Sequence, residues 1–256
     1  MSQDGSTVLY QVNDALARIT LNRPEKRNAL NDELIANLKK ALSRANADEQ
    51  VRSIIVDGSG TDFCSGADLE ALQAISASSV QENLEDARSL MDLFTLIRAV
   101  RVPVIAAVKG RALAGGCGLA LACDLVLAAR SARFGFPEVK IGFVPAMVMA
   151  ILRRNVSEKR ALELLLTGDQ LSAADAESAG LINHVFDDST FDADVEGFAR
   201  RFENISKTAL SLTKRYLYQI DSLPFDEALS LGADTNVTAR LTEDCQKGIA
   251  RFLQKE

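Results

Sequence analysis

Three short stretches of the chain bring together residue types that chemistry can use. The first, Phe63-Cys64-Ser65-Gly66-Ala67-Asp68-Leu69, follows a β-rich run and its Gly58-Ser59-Gly60 turn. Small residues at a strand end let a ligand reach the backbone, and a helix starting there leaves N–H groups without partners. A plain tight turn and helix cap would use the same residues. The second, Ala112-Leu113-Ala114-Gly115-Gly116-Cys117-Gly118, lies between an apolar run and a short helical segment. Its glycines either clear a path to the backbone or let helices pack closely. It is neither a P-loop nor a dinucleotide fingerprint: no GK[ST] follows, and Leu121 stands where a third glycine belongs. The third stretch, Phe134 to Gly142, sets Glu138 among apolar neighbours with Lys140 nearby. A carboxyl group in such company suits proton transfer, and a surface turn would carry it equally well.

The elements that must position these stretches are legible as an alternation. Leu16 to Leu21 reads as a strand, broken by the polar NRPEKRN. Asn31 then caps a helix in which Leu34, Leu38, Ala41, Leu42 and Ala45 recur at helical spacing. Val51 to Asp57 reads as a strand, Val80 to Val100 as a helix, and Val104 to Val108 and Leu125 to Ala128 as further strands. The strands are too uniformly apolar to be half-exposed, which implies an α/β layered core. Beyond residue 155 helices dominate. Lys159 to Thr167 is stopped by Gly168, and Ser172 with Asp175 forms a capping-box pattern. From Phe191 onward only helical segments appear, at about 194–204, 208–220, 225–239 and 242–254. A helical tail with apolar faces and no sheet must pack on the core or on another copy.

Taken in order, these segments resemble the crotonase family, the enoyl-CoA hydratase/isomerase superfamily. LNRPEKRNAL at 21–30, FCSGADL at 63–69, AAVKGRALAGGCGLALACDLVLAA at 106–129 and FGFPEVKIGFVP at 134–145 carry the likeness. LTGDQLSAADAESAGLINHV at 166–185 and TEDCQKGIARFLQK at 242–255 continue it. Each motif is weak alone, and their joint order is specific over nearly the whole chain. The resemblance implies an α/β crotonase-like spiral of ββα units over residues 1–190. It also implies a helical C-terminal trimerisation region over 191–256, giving a homotrimer or homohexamer. It further implies acyl-CoA substrates and a thioester enolate held by two backbone N–H donors, at the matching positions Ala67 and Gly115. Coenzyme A would be part of the substrate, with no separate cofactor and no metal.

One departure stands out. Hydratases of this family use two glutamates, one beside the glycine cluster and one twenty residues later. This chain has Gly118 at the first position and Glu138 at the second. Glu138 is thus the expected proton carrier for hydration or for moving a double bond. Glu70, Glu82, Glu85 and Asp86 are the acids that could replace the missing one. Two rival readings remain: a decarboxylase of the same superfamily, and a catalytically silent CoA-binding protein. The resemblance also places Lys26, Arg27, Ser65, Asp68 and Leu69 near the coenzyme, with Phe252 and Lys255 reaching that of a neighbouring subunit. Lys109 and Arg111 flank the second glycine turn and could serve anionic groups, while His184 is not expected to be catalytic.

Composition narrows the field further. A net charge of −6, no Trp and 5% aromatics argue against nucleic-acid binding. The first ten residues lack an export-signal pattern, and the apolar 112–129 run contains glycines and Asp124, which suit a buried segment better than a membrane span. The four cysteines show no CxxC pair and read as reduced, so a cytoplasmic location is expected.

Overall fold

The computed structural model describes residues 6–75 and 77–254. β1 (Val8–Asn13) and β2 (Leu16–Leu21) open it as an antiparallel pair, followed by α1 (Asp32–Ala47), β3 (Ser53–Gly58), α2 (Leu69–Ile75) and the long α3 (Val80–Ala99). Next come β4 (Val104–Val108), β5 (Arg111–Leu113), α4 (Gly115–Ala122), β6 (Leu125–Ala129) and β7 (Arg133–Gly135). α5 (Ala146–Leu152), α6 (Glu158–Thr167), β8 (Gln170–Ser172), α7 (Ala173–Ser178) and β9 (His184–Phe186) follow. The last helices are α8 (Phe191–Arg200), α9 (Lys207–Gln219), α10 (Phe225–Arg240) and α11 (Glu243–Leu253).

Six strands form the main sheet in the order β1-β2-β3-β4-β6-β9, parallel except for the first pair. A smaller sheet, β5-β7-β8, leads into the Gly115 turn after β5 and into Glu138 after β7. The uniform apolarity of the central strands now has its cause, because both faces are covered. Ile54, Val56, Val104, Ala106, Val126 and Ala128 point into the larger core with α1 and α3. The alternate residues Ile55, Ile105, Ala107, Leu127 and Ala129 pack with Phe191, Val195 and Ala199 of α8. Strands buried on both sides lose the polar alternation of a half-exposed sheet.

Helix starts follow local chemistry. The Asn31 side chain accepts from Leu34 N at 3.0 Å, and Ser79 with Glu82 makes a reciprocal capping box. Gly168, at φ 64, ends α6 in the left-handed region. β1 escapes sequence reading because only Val8 of its six residues is buried. β5, β7, β8 and β9 escape because three residues cannot show a period.

The tail is held by a buried polar anchor. Lys214 of α9 pairs with Asp124 at 2.7 Å, and its ammonium also donates to the Ile97 and Val102 carbonyls at 2.9 and 3.2 Å. Asp124 in turn accepts from Val104 N and from the Tyr218 hydroxyl, both at 2.7 Å. Burial pushes the Asp124 carboxyl up and the Lys214 ammonium down, so each charge depends on the other. Lys214→Met leaves that carboxylate uncompensated and should cost about 3–5 kcal/mol. A urea-unfolding midpoint measures it; a loss below about 1 kcal/mol would show the pair to be dispensable.

Candidate active site

The first stretch is threaded between two backbone neighbours. Leu30 N donates to Gly66 O at 2.7 Å, and Asp68 N donates to Leu30 O at 2.9 Å. On the other side Cys64 N donates to Arg111 O, and Leu113 N to Cys64 O, at 3.1 and 3.0 Å. This pairing uses the groups on either side of Ala67, and among the described residues nothing accepts from the Ala67 N–H. Gly66 sits at φ 98, in the region only glycine occupies cheaply.

The second turn is built on β5. Ala114 N donates to Gly135 O at 2.9 Å, and Gly118 N to Ala114 O at 3.0 Å. Ala114 itself has φ 51 and ψ −129, a strained setting for a residue with a Cβ. Gly115 begins α4, so its N–H is one of the first-turn donors with no carbonyl inside the helix. The two turns touch. A methyl group on Gly66 would lie 2.8 Å from Ala114 Cβ and 3.4 Å from Gly115 N. Gly116 closes the same contact, since a methyl there would meet Cys64 O at 2.3 Å.

Glu138 lies in the 3₁₀ turn Pro137–Ile141 directly after β7, which pairs with β5. Phe134 and Phe136 are fully buried and anchor the approach, and Gly142 at φ 75 closes the turn. The Glu138 side chain is buried, and among the described residues its Oε2 has no hydrogen-bond partner. Burial raises its carboxyl above the ordinary range, against a smaller lowering by its own backbone N–H. Lys140 does not neutralise it, being paired with Asp169 at 3.3 Å.

Gly118 faces apolar side chains. A Cβ there would lie 2.5 Å from Val148 Cγ2 and 3.4 Å from Phe94 Cζ. The place beside the glycine cluster is therefore filled from α5 and α3. Gly118→Glu should destabilise the fold by about 1–3 kcal/mol through overpacking, and adding Val148→Gly should restore much of it. Equal thermal midpoints for Gly118→Glu and the parent would contradict that packing. Three of the four acids considered as replacements are engaged elsewhere. Glu70 pairs with Lys26 at 2.7 Å, Glu82 caps α3 through Ser79, and Glu85 accepts from Gln81 at 2.7 Å. Asp86 is exposed, its carboxyl raised by partial burial and by Asp32.

The other expected contacts divide. Lys26 and Arg27 are exposed, and Ser65 N donates to Arg27 O at 3.1 Å, so the basic pair and Ser65 adjoin the first turn. Asp68 is buried, pairs with Arg23 at 2.8 Å and accepts from Glu70 N at 2.9 Å. Burial pushes its carboxyl up, but these partners outweigh it and hold it below the usual range. Leu69 is the first residue of α2. Phe252 is exposed on α11 and is not brought to the turns within one chain; Lys255 lies outside the described residues. Lys109 and Arg111, which could serve anionic groups, are each paired within the chain, Lys109 with Asp192 at 2.6 Å and Arg111 with Asp62 at 2.8 Å.

That last pair belongs to a support that sequence reading missed. Asp62 accepts from Arg111 N and Nε at 3.0 and 2.8 Å. Asn28, fully buried at φ 54, donates to Ser59 O and Asp62 O and accepts from Arg23 N. The available signal was an asparagine at a turn end, the residue type that tolerates a left-handed backbone.

Comparisons with known proteins place the whole chain, rather than the site alone. The sequence profile of the family described as enoyl-CoA hydratase/isomerase matches residues 11–256. A Thermus thermophilus protein carrying an enoyl-CoA hydratase name is 40% identical over 94% of this chain and 95% of its own length. The crotonyl-CoA hydratase of Syntrophomonas wolfei is 35% identical over 97% of this chain and 95% of its own. The crystal structure of an enoyl-CoA hydratase from Mycobacterium smegmatis superposes with a TM-score of 0.93 at 30% identity, covering 98% of this chain and 97% of that one. With a profile match over nearly the full length and a shared architecture, the chain belongs to the enoyl-CoA hydratase/isomerase family.

Proposed function

We propose that the N–H groups of Ala67 and Gly115 hold the thioester oxygen of an acyl-CoA, and that Glu138 carries the proton. The unpartnered, buried Oε2 of Glu138, in the turn that follows β7 where β7 pairs with β5, together with the two touching turns, is the observation that carries this reading. Donors fixed in a fold need no reorganisation as negative charge gathers on the oxygen. Starting from a 3-enoyl-CoA, the Glu138 carboxylate takes a proton from Cα, and the electron pair spreads onto the held oxygen as a dienolate. The protonated acid then returns a proton to Cγ, which leaves the conjugated 2-enoyl-CoA. One carboxylate completes this cycle.

Hydration asks more of the site. A water must lose a proton as its oxygen adds to Cβ, while Cα gains one. With Val148 and Phe94 around Gly118, Glu138 would serve both steps alone. Double-bond movement is therefore the reaction the geometry favours, and hydration is the second reading, favoured by the names of the relatives. Neither uses a metal or redox cofactor, since coenzyme A arrives with the substrate. Lys26 and Arg27 are suited to its phosphates. The apolar residues that α9–α11 leave exposed, among them Leu217, Phe225, Leu229, Val237 and Leu241, suit a second copy of the chain, as a trimer or hexamer requires.

Matched 3-enoyl and 2-enoyl thioesters in D₂O test the reading. Faster conversion of the 3-enoyl compound is expected, with deuterium at Cα of recovered substrate and at Cγ of product. Release of CO₂ from a malonyl-type thioester, or tight binding without turnover, would overturn it. Because burial raises the Glu138 carboxyl, its base form is lost at a higher pH than in a free glutamate. As pH falls, kcat/KM should decline with a midpoint above about 4.3.

A further inference from the structure

Two short parallel segments lead into the two glycine turns, one ending in Ala67 and the other in Gly115. Phe63 N donates to Lys109 O at 2.9 Å, Cys64 N to Arg111 O at 3.1 Å, and Leu113 N to Cys64 O at 3.0 Å. A ladder this short resists sliding weakly, and a slip of one residue would carry Ala67 past Gly115 by about 3.3 Å. Asp62 and Arg111 oppose such a slip. The buried Asp62 Oδ1 accepts from Arg111 N at 3.0 Å and from its Nε at 2.8 Å, while Oδ2 accepts from Nη2 at 2.8 Å. The side-on fork fixes the guanidinium in angle as well as distance, and the bond from Arg111 N ties the same carboxylate to the β5 backbone. Gly110, at φ 58, permits the close approach, since a methyl group there would lie 1.9 Å from Thr61 O and 2.9 Å from Asp62 Oδ1. On the opposite side Asn28 donates to Asp62 O at 2.8 Å, and Leu30 brackets Ala67 through Gly66 O and Asp68 N. The Arg111 bonds hold the Asp62 carboxyl below the usual range despite its burial, so the fork is charged at neutral pH.

We propose that Asp62 is a positioning residue for the reaction: its fork with Arg111 sets the separation of the Ala67 and Gly115 N–H groups, so that both meet one oxygen. The inference rests on the thioester reading given above. Neither side chain touches the acyl group; each acts through the backbone that runs on into its turn. Donors that converge on one atom tolerate little displacement, and a shift of about 1 Å can cost about 10²-fold in rate. Contacts to the remainder of the coenzyme are equal in ground and transition states and lie apart from the fork, so binding should change little.

Asp62→Asn keeps an oxygen for Arg111 N but sets its amide nitrogen against Nη2, donor against donor. Arg111→Lys keeps the charge and loses the fork, on a partly exposed side chain, and gives the same test if Asp62→Asn unfolds. Each should lower kcat about tenfold or more with KM within about threefold of the parent's. A double-mutant cycle separates positioning from a general loss of structure. In Gly115→Pro, where one donor remains, Asp62→Asn should cost less than about twofold, whereas in Glu138→Gln it should cost its full amount. Infrared spectra of bound butanoyl-CoA, a saturated thioester with no double bond to hydrate or move, give a readout without turnover. Two donors should lower the carbonyl stretch in the parent enzyme, and either variant should weaken that shift. An unchanged kcat, full-sized losses in both backgrounds, or a carbonyl band equal to the parent's overturns the proposal while leaving the thioester reading standing. A parent enzyme that neither turns over enoyl-CoA thioesters nor shifts the carbonyl of bound butanoyl-CoA overturns the reading and the proposal together.

Discussion

Glu138→Gln should slow the reaction by about 10²–10⁴-fold while acyl-CoA still binds. The amide keeps the shape of the side chain and cannot accept the proton. Shape matters here because Pro137 sets the start of the turn, Phe136 is buried before it, and Phe143 N bonds back to Glu138 O at 3.0 Å. The substitution replaces a buried carboxyl whose Oε2 has no partner, so stability should not suffer. A thermal melt equal to the parent's, together with lost turnover, separates a chemical role from a structural one. The variant should also lose the acidic decline in kcat/KM. Turnover within about threefold of the parent would remove Glu138 from the mechanism.

The second large effect is expected from the backbone. Gly115→Pro deletes one donor outright, and removal of a single oxyanion donor costs about 10²–10³-fold in kcat. Proline is tolerated at the first position of a helix, where its missing N–H has no intrahelical partner, and Gly115 opens α4. Gly66→Ala gives an independent check on the same contact. Its methyl would meet Ala114 Cβ at 2.8 Å, at a φ of 98 that alanine resists, and so should force the turns apart. Both variants should lower kcat more than they raise KM, because the donors act most strongly on charge that exists only during reaction. A change in KM alone would assign these turns to binding of the coenzyme.

How much of this was legible in the residues depends on the length of the pattern. The helices 32–47 and 80–99 announce themselves through caps and buried stripes, and β4 through a run that both cores claim. The smaller sheet does not, although it leads into Gly115 and Glu138. Its strands have three residues each, and what positions them is pairing with Cys64 and Gly135, which are distant in sequence. The glycine turns were visible as composition, yet the contact between Gly66 and Ala114 is a tertiary fact. Likewise the absence of a glutamate at 118 could be read directly, whereas its replacement by Val148 and Phe94 could not. Charged residues are the least legible. Lys109 and Arg111 are equally basic whether they meet a ligand or, as here, Asp192 and Asp62.

A crystal structure with an enoyl-CoA bound tests the central claim most directly. The thioester oxygen should lie within about 2.7–3.2 Å of both Ala67 N and Gly115 N, with Glu138 over the face of Cα. An oxygen that meets one donor or neither, or a Glu138 side chain turned away from the acyl group, would contradict the account.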